Sequence, residues 1–337
     1  MSILVRVIEE FIQGAMYDSP IFSEYFSGMK IVVADIETTG LSPKRAAVIL
    51  GGAVFAEKEG RKAVQFFADT PEDEPELLKR YIDVLSQADV VVTFNGQRFD
   101  IPFLKTRMER HGMDVSALER LYSMDIYRIL RYHSHLPQIM PNLKQKTVEI
   151  YLGDSSSRKD EIDGAKSVEL YYEYMKSAGA QRERLLDTIL LHNRDDIVRL
   201  ADMMRILRTL NLHEILHRNG FPAILGEFAV HAEKMQLKGD TLRAEGSVYG
   251  PHTAYKCFGD HYEFELSGDD DHFELAVFCE KVAGSVVCDV AALGIDCPSL
   301  REMGGYESGF LILKENGALN YREINALVRS ILNSALQ

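Results

Sequence analysis

Ile31-Val32-Val33-Ala34-Asp35-Ile36-Glu37-Thr38-Thr39-Gly40-Leu41 joins an apolar run to two closely spaced acids. Its first four apolar residues predict a buried strand, and two carboxylates follow, two positions apart. Side chains alternate across a strand, so Asp35 and Glu37 share one face. Two like charges crowded at the end of a buried strand are costly unless a cation sits between them. Thr38-Thr39-Gly40 then breaks the strand and lets backbone pass close to whatever is bound. A divalent metal held by oxygen ligands is the simplest counter-charge.

Outward from that strand, residues 46–55 and 63–68 predict two more strands joined by a hairpin turn at Glu57-Lys58-Glu59-Gly60. Helices are expected over 73–87, 101–111, 142–151, 164–176 and 182–210, with strands over 90–94 and 121–126. Three strands followed by alternating strands and helices imply an α/β fold, a mixed sheet covered by helices on both faces, over 29–215. Leu4, Val7, Ile8, Phe11 and Ile12 fall at helical spacing and predict a short docking helix in an extension over 1–28. After Phe221-Pro222, short alternating segments and polar turns predict a smaller α+β domain over 222–337. It is an antiparallel meander closed by a helix over 321–336, where Asn320 and Glu323 resemble a capping box.

The 337 residues are 46% hydrophobic and 26% charged, the balance of a globular protein. No apolar run approaches the roughly 20 residues of a membrane span. The start lacks the features of an export signal, so a cytoplasmic location and free thiols are expected. Cys257, Cys279, Cys288 and Cys297 form no C-x-x-C pair, which argues against a zinc site. A net charge of −13 argues against broad electrostatic binding of nucleic acid. It leaves open local capture of a phosphodiester through metal ions.

Two further constellations carry chemistry. Val90 to Leu104 runs from a buried strand through Asn95-Gly96-Gln97-Arg98-Phe99 into a helix opening at Asp100-Ile101-Pro102. Alone, Asp100 reads as the cap of that helix. On the last long helix, His192 and Asp196 are four apart and share a face, while Asp195 is turned about 100° away. Alone, they read as an ordinary solvated pair.

Taken together, Asp35-x-Glu37-Thr38-Thr39-Gly40, Asn95-x-x-x-Phe99-Asp100-x-Pro102 and His192-Asn193-x-x-Asp196 resemble the three exonuclease motifs of the DEDD superfamily. They most resemble the YprB-like ribonuclease H-like family, related to the exonuclease domain of B-family DNA polymerases. The resemblance covers about 31–207. It implies a ribonuclease H-like fold in which Asp35, Glu37, Asp100 and Asp196 hold two Mg²⁺ or Mn²⁺ ions for in-line displacement at a phosphodiester. It also implies that Thr39, Gly40 and Leu41 lie beside a terminal nucleotide, with Asn95 and Phe99 supporting the second motif. The tyrosine branch of the superfamily carries Tyr four residues before the last Asp, and here that position is His192. An imidazole, with an ordinary pKa near 6.5, suits a general base close to neutral pH.

The resulting expectation is a 3′–5′ exonuclease acting on single-stranded DNA or RNA ends. The alternative is a weak or inactive nucleic-acid-binding or scaffolding module of the same fold. Asp125 reads as a capping or supporting carboxylate. His133, His135, Arg128, Arg131, Lys144 and Lys146 form a basic stretch suited to strand contact. Asp269-Asp270-Asp271 reads as a hairpin tip. The acid-rich C-terminal domain suits a protein partner or self-association better than nucleic acid.

Overall fold

The computed structural model describes residues 5–153, 164–295 and 297–336. The chain forms two compact units. One comprises Met1–Ser19 and Gly28–Leu210, the other Pro20–Ser27 and Asn211–Gln337. Among the described residues no helix is long and apolar enough to cross a membrane.

In chain order the elements begin with β1 (Val5–Gln13) and α1 (Pro20–Phe26). There follow β2 (Ile31–Thr38), β3 (Val48–Glu57), β4 (Gly60–Ala68), α2 (Glu74–Leu85), β5 (Val90–Thr93) and α3 (Asp100–Arg110). Then come α4 (Ser116–Glu119), β6 (Tyr122–Asp125), α5 (Ile126–His133), α6 (Leu136–Ile139), α7 (Gln145–Tyr151), α8 (Gly164–Lys176) and α9 (Gly179–Met203). The first unit is a six-stranded sheet in the order β1-β4-β3-β2-β5-β6. The pairs from β1 to β2 are antiparallel, whereas β2–β5 and β5–β6 are parallel. This is the mixed α/β sheet with flanking helices that the sequence implies.

Alternation along β2 divides its residues between two cores. Val32, Ala34 and Ile36 pack with Leu77, Leu78, Tyr81, Ile82 and Leu85 of α2 and with Phe103, Leu104 and Met108 of α3. Each of these large side chains contributes about 1.5–3 kcal/mol through burial. Across the sheet, Ile49, Leu50 and Phe67 pack with Tyr171 and Tyr174 of α8 and Leu186 and Ile189 of α9. The odd positions of β2, Asp35 and Glu37, therefore turn away from the α2–α3 core.

The predicted N-terminal helix is a strand. β1 pairs with β4 along its whole length, from Val5↔Ala68 to Gln13↔Gly60; Leu4 of the predicted pattern lies outside the described residues. A short apolar run does not separate a helix from a strand by periodicity alone, and the open edge of β4 decides between them. A second difference is α5, predicted neither as a helix nor as a turn. Asp125 ends β6 and caps α5 by accepting the Arg128 N–H, so a strand passes into a helix without a loop. The expected helix over 182–210 begins three residues earlier and ends at Met203, followed by a 3₁₀ turn, Met204–Thr209.

The second unit holds α10 (Leu212–Asn219) and the strands β7 (Phe221–Leu225), β8 (Phe228–Lys238), β9 (Thr241–Tyr249), β10 (Tyr255–Phe258), β11 (Tyr262–Leu266) and β12 (His272–Phe278). These strands form an antiparallel sheet in the order β10-β11-β12-β9-β8-β7. A smaller antiparallel sheet and the closing helix Tyr321–Ala335 complete it. The short helix α1 belongs here. Asn325 Nδ2 donates to the Tyr25 hydroxyl at 3.0 Å and to the His213 carbonyl at 2.9 Å, and Arg329 donates to the Glu24 carbonyl. The segment predicted as one N-terminal extension is thus divided between the two units. All four cysteines are free thiols.

Candidate active site

The carboxylates of β2 emerge where the parallel and antiparallel halves of the sheet meet. β2 pairs with β5 through Val33↔Val92 and with β3 through Asp35↔Gly52 and Glu37↔Leu50. The pairing with β5 ends before Asp35, which opens the end of β2 on that side. Asp100 reaches this opening from the first turn of α3. It is the first residue of α3, after Phe99 at the N-cap position, and its carboxylate accepts the backbone N–H of Ile36 at 3.1 Å. Beyond its place at the helix start, Asp100 therefore clamps α3 to β2.

The turn before Asp100 needs Asn95 in the left-handed region, at φ 67°. Asp125 holds it there, accepting the N–H groups of Asn95 at 2.9 Å and Gln97 at 3.2 Å. Asn and Asp enter this region more readily than other side chains. Asp125 is the supporting carboxylate that the sequence suggests.

From α9, His192 and Asp196 face β2. His192 Nε2 lies 3.4 Å from Glu37 Oε1 and 3.7 Å from Asp196 Oδ2. Asp195 turns away, is buried and pairs with Arg194 at 3.1 Å. Gln145, at the start of α7, donates to the Asp196 carbonyl at 2.9 Å and anchors that helix beside the site.

Asn193, overlooked as a site residue in the sequence, proves central. Fully buried, it donates from Nδ2 to Asp35 Oδ2 at 2.9 Å and accepts from Gln65 Nε2 at 2.9 Å. Gln65 also donates to the Leu190 carbonyl at 2.9 Å. Because Gln65 presents a donor, the Asn193 oxygen must face it and its NH₂ must face Asp35. The signal in the sequence is Gly51-Gly52, at odds with a buried strand. A Cβ on Gly52 would lie 2.1 Å from Asn193 Oδ1, and one on Gly51 would lie 2.8 Å from the Tyr81 ring. Each glycine admits a side chain from the opposite helical layer. Gly52→Ala is expected to cost about 1–3 kcal/mol in urea denaturation, as overpacked cores do. Adding Asn193→Ala should recover part of that loss by removing the clashing amide. Simple additivity of the two costs would argue against this contact.

The loop after β2 is also held in place. Thr39 exchanges hydrogen bonds with Ala47, through its own N–H to the Ala47 carbonyl and from the Ala47 N–H to its hydroxyl, both at 2.9 Å. Buried Glu74 accepts the Val48 N–H at 2.7 Å and pairs with Arg107, which donates to the Pro43 carbonyl at 3.1 Å.

Asp35, Glu37, Asp100, His192 and Asp196 line one cavity of about 940 Å³, together with Gly40, Leu41, Asn95 and Phe99. Thr39, predicted beside them, does not line it because its hydroxyl closes the loop; Thr38 does. Leu41 stands at the cavity with 86% of its surface exposed. Phe94, Lys144, Lys146 and Lys166 complete much of the wall, and Lys166 pairs with Glu169 at 2.8 Å.

Electrostatically the cluster resists its own charge. Burial raises the Asp35 carboxyl well above its usual range, reinforced by Asp100, Asp196 and Glu37, while Asn193 opposes the shift. Burial raises Glu37 to about 7, with His192 opposing and Asp196 adding to the rise. Asp100 rises to about 7 through burial, against the hydrogen bonds it accepts from backbone N–H groups. The folded chain thus binds these protons more tightly than the unfolded chain. Their stabilising contribution is complete below the ordinary carboxylate range, about pH 4, and is lost as pH rises through about 7. In chelator, Tm should fall across that window, and a saturating divalent cation should abolish the fall. A flat Tm in chelator would contradict the clustering.

The donor chemistry of the site fits hard cations. Glu37, His192 and Asp196 present ligand atoms within 4.8 Å of one another, and Asp35 and Asp100 add carboxylate oxygens to the same cavity.

A family model described as the RNase H superfamily matches residues 32–208. A DNA polymerase of Methanocaldococcus jannaschii is 29% identical over 120 residues, covering 32% of this chain and 7% of that protein. One from Pyrococcus glycovorans is 26% identical over 140 residues, covering 32% and 18%. The chain therefore spans only a small part of the length of these relatives. Among solved structures, the family B DNA polymerase of Pyrobaculum calidifontis aligns with a TM-score of 0.40 at 21% identity, covering 53% of this chain and 24% of that one. Escherichia coli exonuclease I in complex with a dA16 oligonucleotide aligns at 0.33 and 13% identity, covering 65% and 55%. Structural likenesses this distant carry no argument about activity. The family match spans the whole first-unit sheet from β2 onward and more than half of the 337 residues, so the chain belongs to the RNase H superfamily.

Proposed function

We propose that this chain is a metal-dependent 3′–5′ exonuclease of the DEDD type, removing nucleotides from single-stranded nucleic acid ends. One observation carries the reading: Asp35, Glu37, Asp100 and Asp196 come from three separate elements and line one cavity. Burial resists the ionisation of the first three, and the neighbouring acids of the cluster add to it at Asp35 and Glu37. Carboxylates gathered against that cost are the donor set for hard divalent cations, and perturbed groups in a cleft mark functional sites. The form of the three motifs supports the YprB-like branch within the superfamily.

These four residues would hold the two ions, Mg²⁺ or Mn²⁺. Bound there, the ions supply Lewis-acid polarisation of the scissile phosphate and a more acidic attacking water. The chain's own groups do the remainder. Asn193 orients Asp35 from behind through its 2.9 Å hydrogen bond. His192 Nε2, directed toward Glu37 and Asp196, receives the proton of the attacking water. Leu41, Phe94 and Phe99 give the terminal base an apolar wall, and Lys144 and Lys146 face its phosphates. In this reading the second unit serves a protein partner or self-association.

The second reading, a nucleic-acid-binding scaffold without catalysis, is favoured by one contact. A protonated His192 between Glu37 and Asp196 would supply from the protein part of the positive charge a metal brings. The deciding experiment uses a 3′-labelled single-stranded oligonucleotide, as DNA and as RNA, with Mn²⁺ or with chelator. Metal-dependent release of the label that is lost in Asp35→Asn supports the exonuclease. Binding without release in any metal overturns it in favour of the scaffold.

A further inference from the structure

We propose that the exposed side of α5 is a track for the single strand whose 3′ end occupies the cavity, a proposal that rests on the exonuclease reading. The chain carries −13 overall, yet no carboxylate occurs from Ile126 to Val148, where Arg128, Arg131, Lys144 and Lys146 lie. The structure connects this stretch to the cavity through a ladder of rings and cations. Phe94, in the cavity wall, meets Tyr127 nearly edge-on with centroids 5.8 Å apart. Arg131 Nη1 donates to the Tyr127 hydroxyl at 3.2 Å. The Arg131 guanidinium lies 5.8 Å from the ring centre of Tyr132, which is 56% exposed. In the cavity wall, Lys144 and Lys146 flank Gln145, whose bond to the Asp196 carbonyl ties them to the catalytic helix.

Surfaces for single strands combine cations that follow the phosphates with aromatic faces on which successive bases stack. A strongly acidic protein cannot gather such a partner by diffuse attraction, so its cations must be concentrated along the path. Here they are concentrated where carboxylates are missing, and the path leads to the carboxylate site. The chemistry recognised is phosphate plus base face, common to DNA and RNA.

The test measures binding to the full chain in chelator, so that cleavage plays no part. Fluorescence anisotropy compares a labelled dinucleotide with a single strand of about twelve nucleotides, as DNA and as RNA, a length within the range of single-strand sites. The longer strand is expected to bind more tightly. Arg131→Glu and Tyr132→Ala should each reduce that gain about tenfold, the order of one lost base stack. Lys144→Gln with Lys146→Gln should lower the slope of log affinity against log salt by roughly 1.4, two charges at about 0.7 each. All four side chains are exposed, and an unchanged Tm checks the fold.

An unaltered length gain in Arg131→Glu and Tyr132→Ala overturns the track. So does equal competition by poly-L-glutamate, which would reveal an indiscriminate anion site. A length gain lost in the variants, alongside no cleavage in any metal, keeps the track and removes the exonuclease reading. Cleavage without any length gain does the reverse.

Discussion

Asp35→Asn is expected to lower metal-dependent release of a 3′ nucleotide by about a thousandfold or more, because each 1.36 kcal/mol of lost transition-state stabilisation is tenfold and a metal site supplies several. The amide keeps the size of the carboxylate and removes its charge. Asp35 sits where the other three acids converge, and burial and those acids oppose its ionisation. On the proposed reading its loss removes an ionic ligand, together with the burial cost and repulsion that oppose its charge. The folded metal-free protein should therefore be at least as stable as wild type, while its Mn²⁺ affinity, read by calorimetry, falls. Activity within a few-fold of wild type would remove Asp35 from the metal centre. A variant that loses activity through unfolding would be recognised by a lowered Tm.

His192→Ala is the second large effect. Removing a general base costs about 10²–10⁴-fold in rate, and the expected result is a loss of that size in kcat with Mn²⁺ affinity retained or raised. The retained affinity separates the two roles open to the side chain. If His192 acts only as a counter-charge between Glu37 and Asp196, its removal leaves those carboxylates more available to a cation and turnover is unchanged or faster. Unchanged turnover would therefore sink the proton-transfer role. Weakened Mn²⁺ binding would point instead to an imidazole ligand, consistent with its place beside the two acids.

Much of this site is legible in the chain because its chemistry is encoded locally. Asp35 and Glu37 announce themselves through strand alternation, and His192 and Asp196 through the four-residue spacing of a helix. Asp100 is less legible, since an acid at a helix start reads as a cap, and its bond to the Ile36 N–H is made to a strand far away in the chain. Thr39 and Thr38 are adjacent and alike in type. Which of them faces the cavity depends on the bond to Ala47, made across a loop.

The fold divides in the same way. The buried strands β2, β3 and β5 and the helices α2, α3 and α9 follow from patterns within a few turns of chain. Local sequence pattern was thus enough for the α/β class, for the order of elements from β2 to α9 apart from the short helices α4, α5 and α6, and for naming Asp35, Glu37, Asp100 and Asp196 as candidates. Tertiary structure alone decided that residues 5–13 are a strand, because the open edge of β4 offered them backbone partners. It alone decided that α1 joins the second unit and that Asn193 holds the back of Asp35. Such choices depend on contacts between residues far apart in the chain, as Gln65, Asn193 and Asp35 are. The Asp35–Glu37 pair shows both halves: alternation places two acids on one face, and only packing brings Asp100, His192 and Asp196 to meet them.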